Sequence, residues 1–220
     1  MMRADSQAER GRWALAAMFT TNGFLMGAWA PQIPLLLPRY QITETTLGLL
    51  IFALGLGAIG AMLFAGRLID TYGSRRVLIF FSLAVVPMLM LVVFSPSLWM
   101  VAPSMALFGA LLGSMDASIN ANTILVERRL GRPIMSSSHG FWSLGGFVGG
   151  SAGSYAIVHW GPYVQVICAT LIALTLVLLA IPHVLHDTPA PRQTGTAKPA
   201  KSVILPRDWG LWLLGFMAMF

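Results

Sequence analysis

Asp116 is a carboxylate set inside an apolar run. The stretch LFGALLGSMDASINANTILVERR, Leu107 to Arg129, has no other formal charge before Glu127. A helix turns about 100° per residue, so Gly109, Gly113, Asn120, Thr123 and Glu127 share an arc of about 80° with Asp116, and Asn122 falls on another face. A charge at the centre of a bilayer costs about 2.5–3.5 kcal/mol and is placed against a cavity or a partner. The charged form of such a group is poorly solvated, which suits a side chain that takes up and releases a proton. Three roles fit: a substrate or proton site, a structural acceptor for Ser114, Asn120 or Asn22, and a water-exposed cavity position with no role. Asn22 and Gln32 add amides in an earlier apolar run, and His139 leads a stripe with Ser143, Gly146 and Gly150.

The elements that must carry these groups are membrane spans. The 220 residues are 56% hydrophobic and 10% charged, with mean hydropathy +0.74. Soluble domains carry about 25% charged residues, so a soluble class is excluded. A spanning helix needs about 20 apolar residues. Six runs qualify, roughly Trp13–Leu37, Thr46–Ile69, Val77–Phe94, Leu98–Leu125, Ser137–Val158 and Tyr163–Pro182. The chain reads as a cytoplasmic N-terminus over 1–12, a six-helix bundle over 13–185, a Pro/Thr/Lys-rich cytoplasmic linker over 186–208, and the start of a seventh helix over 209–220. That seventh run is cut off at Phe220, so the chain reads as a fragment or a truncated product.

The net charge of +6 is a topology signal. With the N-terminus inside, 13 of the 14 basic residues fall on cytoplasmic segments and Arg39 alone lies outside. A nucleic-acid patch would gather them on one soluble face, and no nucleic-acid partner is expected. Cys168 is a single cysteine, there is no CxxC pair, and His183 with His186 is too little for a metal site. Neither a catalytic constellation nor a cofactor motif stands out, so an enzyme is not expected.

Polarity repeats along the chain. The first and fourth runs are polar, the second and fifth rich in glycine, the third and sixth apolar nearly all round. This predicts an all-α membrane fold of two inverted three-helix repeats, with the third and sixth helices facing lipid. At residue level the repeat shows as Tyr72-Gly73 closing the second run and Trp160-Gly161 closing the fifth.

The loop GRLIDTYGSRR resembles the signature of the major facilitator superfamily through Gly66, Leu68, Asp70, Gly73, Arg75 and Arg76, with Ser74 shifting the basic pair by one place. Gly73 suits the tight turn, Gly66 a close helix approach, and Asp70 the positive start of the third helix beside Arg75 and Arg76. The resemblance implies that Asp70 helps latch two six-helix halves on the cytoplasmic side. MDASINAN and RRLGRPIMSSSHGFWSLGG are similar to the YbjJ-type branch near the fucose permeases. The chain departs from the family in lacking an arginine four residues before Gly113, a Gly-Pro pair in the fifth helix and a carboxylate in the first.

What the resemblance implies is the N-terminal half of a bacterial inner-membrane secondary transporter, working by alternating access. Its partners would be a small polar solute, protons, the bilayer and the missing C-terminal six-helix half. Asn22, Gln32, Asp116, Asn120 and His139 are the candidate substrate or proton residues. The alternatives are a non-transporting sensor or scaffold that kept the fold, and a drug-efflux carrier.

Overall fold

The computed structural model describes residues 2–187, with side chains from residue 6 onward. The linker after Asp187 and the seventh helix lie outside the described residues. The rest is helical, and the described residues contain no strand. The first span is α1, Met2–Trp29, continued by a 3-10 stretch, Ala30–Leu35, and the short α2, Leu36–Tyr40. Pro31 and Pro34 lack the amide an α-helix would use, which is why the α pattern lapses there. The second span is α3, Glu44–Tyr72, started by the Thr43 hydroxyl accepting from the Thr46 amide at 3.3 Å. The third span is α4, Ser74–Val85, and α5, Met88–Val93, broken at Pro87. The fourth is α6, Leu98–Leu130, ended by Gly131 in the left-handed region. The fifth is α7, Met135–Trp160, and the sixth is α8, Pro162–Ala180, with a 3-10 turn over Ile181–His183.

The second, third, fourth and sixth spans are long and apolar enough to cross a membrane. The first and fifth carry Asn22, threonines, serines and many glycines, which lower their hydropathy. They are also the pair that packs most extensively against each other, and the second and fourth spans form the next such pair.

Both contacts rest on glycine, and they match position by position. A Cβ on Gly57 would stand 1.9 Å from the Ala106 carbonyl oxygen, and one on Gly145 would stand 2.2 Å from that of Thr20. Gly109 meets the Leu54 carbonyl at 1.9 Å, and Gly23 meets that of Trp142 at 2.0 Å. Gly113 meets Ala58, and Gly27 meets Gly146. Gly57 and Gly145, Leu54 and Trp142, and Ala58 and Gly146 are each 88 positions apart. Gly23 and Gly109, Gly27 and Gly113, and Thr20 and Ala106 are each 86 apart. The first–fifth crossing is therefore the equivalent of the second–fourth crossing under the inverted repeat. Gly73 (φ 85°, ψ 150°) and Gly161 (φ 86°, ψ 165°) close the two repeats' middle helices in one shared backbone state. Both values of φ are in the region that favours glycine.

The third and sixth helices are each partly buried inside the bundle. Half of the third span's most apolar stretch is buried, against 11% for the second span. The third packs on the fourth and the sixth on the first through Val77, Leu78, Val85, Leu89, Val166, Ala173 and Val177. An all-apolar helix surface fits protein and lipid equally, so hydropathy does not separate the two. The second span instead leaves Phe52, Ile59, Leu63 and Phe64 exposed. Gly66 has no described atom within 4 Å of its missing Cβ, so the close approach read from the sequence is not made inside this bundle.

Candidate functional site

Asp116 is the nineteenth of the 33 residues of α6, near the middle of the fourth span, and is half-buried. Its Oδ2 accepts from Asn120 Nδ2 at 3.2 Å, and the same amide reaches the Asp116 carbonyl at 2.9 Å. Among the described residues Asn120 is the only hydrogen-bond partner of its carboxylate. His139, on the exposed side of α7, faces it closely enough to interact electrostatically. The His139 ring packs on Phe19 with centroids 5.1 Å apart.

One turn up, Asn22 joins three spans. Its Nδ2 donates to the Leu112 carbonyl at 3.2 Å, and its Oδ1 accepts from the Trp142 indole at 2.9 Å. Asn22 is buried, and both faces of its amide are taken. Asn22, Asp116, Asn120 and His139 therefore lie on neighbouring turns of the first, fourth and fifth spans. Trp142 belongs with them and was not singled out in the sequence. Its spacing of three from His139, which puts both on one helix face, was the available signal.

Gln32 does not join them. It lies ten residues beyond Asn22, about 15 Å along the first span. It is buried, and donates to Gln165 Oε1 at 2.5 Å and to the Pro162 carbonyl at 3.0 Å. Gln165 returns a bond to the Ala28 carbonyl at 3.1 Å. This is a closed amide pair holding the sixth span to the first.

The stripe on the fourth span is also divided by its neighbours. Gly109 and Gly113 are spent against the second span, Thr123 is buried, and Asp116, Asn120 and Glu127 are half-buried. The Glu127 carboxylate accepts the amides of Ile134 at 2.7 Å and Met135 at 2.8 Å, and so caps the fifth span.

The signature loop joins the second and third spans. Asp70 is exposed near the end of α3, and no ion pair joins it to Arg75 or Arg76 among the described residues. The positive start of the third span is capped by Asp187, which accepts from the Ser74 amide at 2.5 Å and the Arg75 amide at 3.2 Å. Arg75 turns its guanidinium to the carbonyls of Val184 at 3.1 Å and Ile181 at 3.5 Å. Buried Asn122 donates to Ser74 Oγ at 2.8 Å and the Leu185 carbonyl at 3.0 Å. A carboxylate just past the sixth span cannot be matched to a loop over a hundred residues earlier without the tertiary fold.

Burial alone would raise the Asp187 carboxyl. Hydrogen bonds from the Ser74 hydroxyl and the Ser74 and Arg75 amides outweigh it and hold the group below the usual carboxylate range. A lowered folded value contributes stability above the ordinary carboxyl range and loses it only as pH falls through the lowered value. Asp187→Asn should cost about 0.5–1 kcal/mol, reduced by solvent exposure. Thermal unfolding in detergent should show the same loss at about pH 6 and pH 8. A loss that varied across that window would contradict the assignment.

At the opposite end of the bundle from the signature loop, Arg39 donates to the carbonyls of Val93 and Ser95 and stacks on Tyr163, 5.5 Å from the ring centroid. Tyr40 donates to the same Ser95 carbonyl at 2.6 Å. The basic residue that breaks the charge pattern thus serves the carbonyl end of the third span.

Residues 15–220 match the family model of the Major Facilitator Superfamily. The chain belongs to that superfamily. It is a multi-pass membrane protein of a transporter family, and the bundle has the helix order and repeat of half a facilitator fold. An uncharacterized transporter, y4wD, of Sinorhizobium fredii is 33% identical over 93% of the chain and 53% of its own length. An uncharacterized MFS-type transporter of Yersinia pestis is 30% identical over 90% of the chain and 50% of its own length. Membrane protein MosC of Rhizobium meliloti is 31% identical over 79% and 42%. The chain spans about half the length of the curated relatives it matches.

Proposed function

We propose that this facilitator bundle is the N-terminal half of a proton-coupled secondary carrier for a small polar solute. The carrier resides in the bacterial inner membrane with the N-terminus cytoplasmic. The observation that carries the reading is the cluster of Asp116 and Asn120 near the middle of the fourth span and His139 in the second turn of the fifth, half-buried or exposed. In the rocking of two halves about a midplane site, such a cluster meets water from each side in turn. Asp116 carries the proton, and Asn120 and His139 supply a donor and a titratable ring to the solute. The lysine and arginine distribution supports the orientation.

Asp70 is the gating carboxylate in this reading. It stands exposed at the cytoplasmic end, and Gly66, one turn earlier, leaves open space on the same helix. Gly73 makes the turn, Arg75 is committed to the sixth span, and Arg76 stays exposed beside it.

The test is solute-evoked proton movement. Proteoliposomes of the full-length protein, loaded with a pH-sensitive dye, are challenged with sugars, polyols, amino acids and organic acids. One class should give a pH change that a protonophore collapses. Labelled uptake of a solute with no proton movement would remove the coupling, and no response to any class would favour a sensor or scaffold.

A further inference from the structure

The two glycine crossings are equivalent, so the residues beside them can be compared directly. Where the fifth span places Trp142, the second places Leu54, and where the first places Asn22, the fourth places Phe108. Leu54 and Phe108 are buried and apolar. Packing is therefore met by a leucine and a phenylalanine at one crossing. At the other, the same positions hold an indole N–H bonded to a buried amide. Close packing does not require that replacement.

The bond leads to Asp116. Asn22 donates to the Leu112 carbonyl, and in the helical ladder of α6 this carbonyl is also the acceptor for the Asp116 amide four residues on. The approach of Gly23 to the Trp142 backbone brings the indole within reach of Asn22. We propose that Trp142 is a positioning residue for Asp116: its indole N–H fixes the Asn22 amide, and that amide ties the helix turn bearing Asp116 to the first and fifth spans. Without the indole, Asn22 is free to rotate and Leu112 loses its second donor. The turn carrying the carboxylate then moves independently of His139, the titratable group that faces it from α7.

This inference rests on Asp116 being the proton site, and the experiment separates the two. The probe is the proton itself. Full-length protein in lipid is titrated while the infrared band of protonated carboxyl is followed, and Asp116 is assigned by the band lost in D116N. Two variants remove the donor: W142F, and an isosteric benzothienylalanine at position 142 that keeps the ring shape. Both should move the Asp116 midpoint by about one pH unit, the worth of one hydrogen bond. In an N22A background, W142F should add nothing, because the indole acts through Asn22. An unchanged midpoint in both variants, or full additivity with N22A, overturns the positioning role and leaves the proton site standing. A wild-type protein with no titrating band assigned to Asp116 overturns both.

Discussion

Asp116→Asn should abolish uphill accumulation while sparing exchange of solute across the membrane. The substitution keeps the side-chain size and an oxygen for Asn120, the one hydrogen-bond partner of the Asp116 carboxylate among the described residues. That contact lies within a single helix, so the bundle has no reason to loosen. What is lost is the ability to take up a proton. A carrier fixed in its neutral form still reorients with solute bound, so counterflow continues, whereas accumulation against a gradient falls more than about tenfold. Asp116→Leu serves as the comparison, because it also removes the polarity of the site and should lower both modes. Uptake driven by an imposed proton gradient, measured beside counterflow for the solute that evokes proton movement, decides the matter. Unchanged uphill uptake in the asparagine variant would leave Asp116 as a structural acceptor.

Alanine at Gly57 or at Gly145 should each strongly destabilise the bundle. The added Cβ would sit 1.9 Å from the Ala106 oxygen or 2.2 Å from the Thr20 oxygen, both backbone atoms that have no rotamer to escape into. The helices would have to separate by more than about 1 Å along the crossing, and overpacking in a rigid core costs about 1–3 kcal/mol or more. The two positions are equivalents in the inverted repeat, so their losses should agree within about 1 kcal/mol. Gly48→Ala is the control, with no described atom within 4 Å, and it replaces a poor helix former by a good one. Yield of monodisperse full-length protein and its unfolding temperature in detergent report all three. Normal assembly of Gly57→Ala would mean that the crossing is not as close as the structure has it.

Spans, order and repeat were legible in the sequence because their signals are local. Twenty apolar residues in a row admit few alternatives to a spanning helix, and Gly73 and Gly161 mark the equivalent turns. The signature from Gly66 to Arg76 and the alternation of polar, glycine-rich and apolar runs pointed to half of a facilitator fold, and the family match bears this out. Asp116, Asn120, Asn22 and His139 stood out in the sequence as candidates because a polar group in an apolar helix is costly and therefore conspicuous.

Partnership was decided only in three dimensions. Gln32 carries the same signal as Asn22, yet it is closed off by Gln165 from a span 133 residues away, while Trp142 passes unnoticed as one more aromatic in a membrane chain. The helix period gives the face on which Gly109, Gly113, Asp116 and Asn120 lie, but it does not say which part of that face another span will cover. Asp70 and Asp187 are both single carboxylates at the end of an apolar run. Only the meeting of the third and sixth spans makes Asp187 the cap and leaves Asp70 exposed. Hydropathy records how strongly a helix avoids water, and lipid and protein satisfy that demand equally. The choice between them belongs to side-chain shape at the crossings, which the glycines fix.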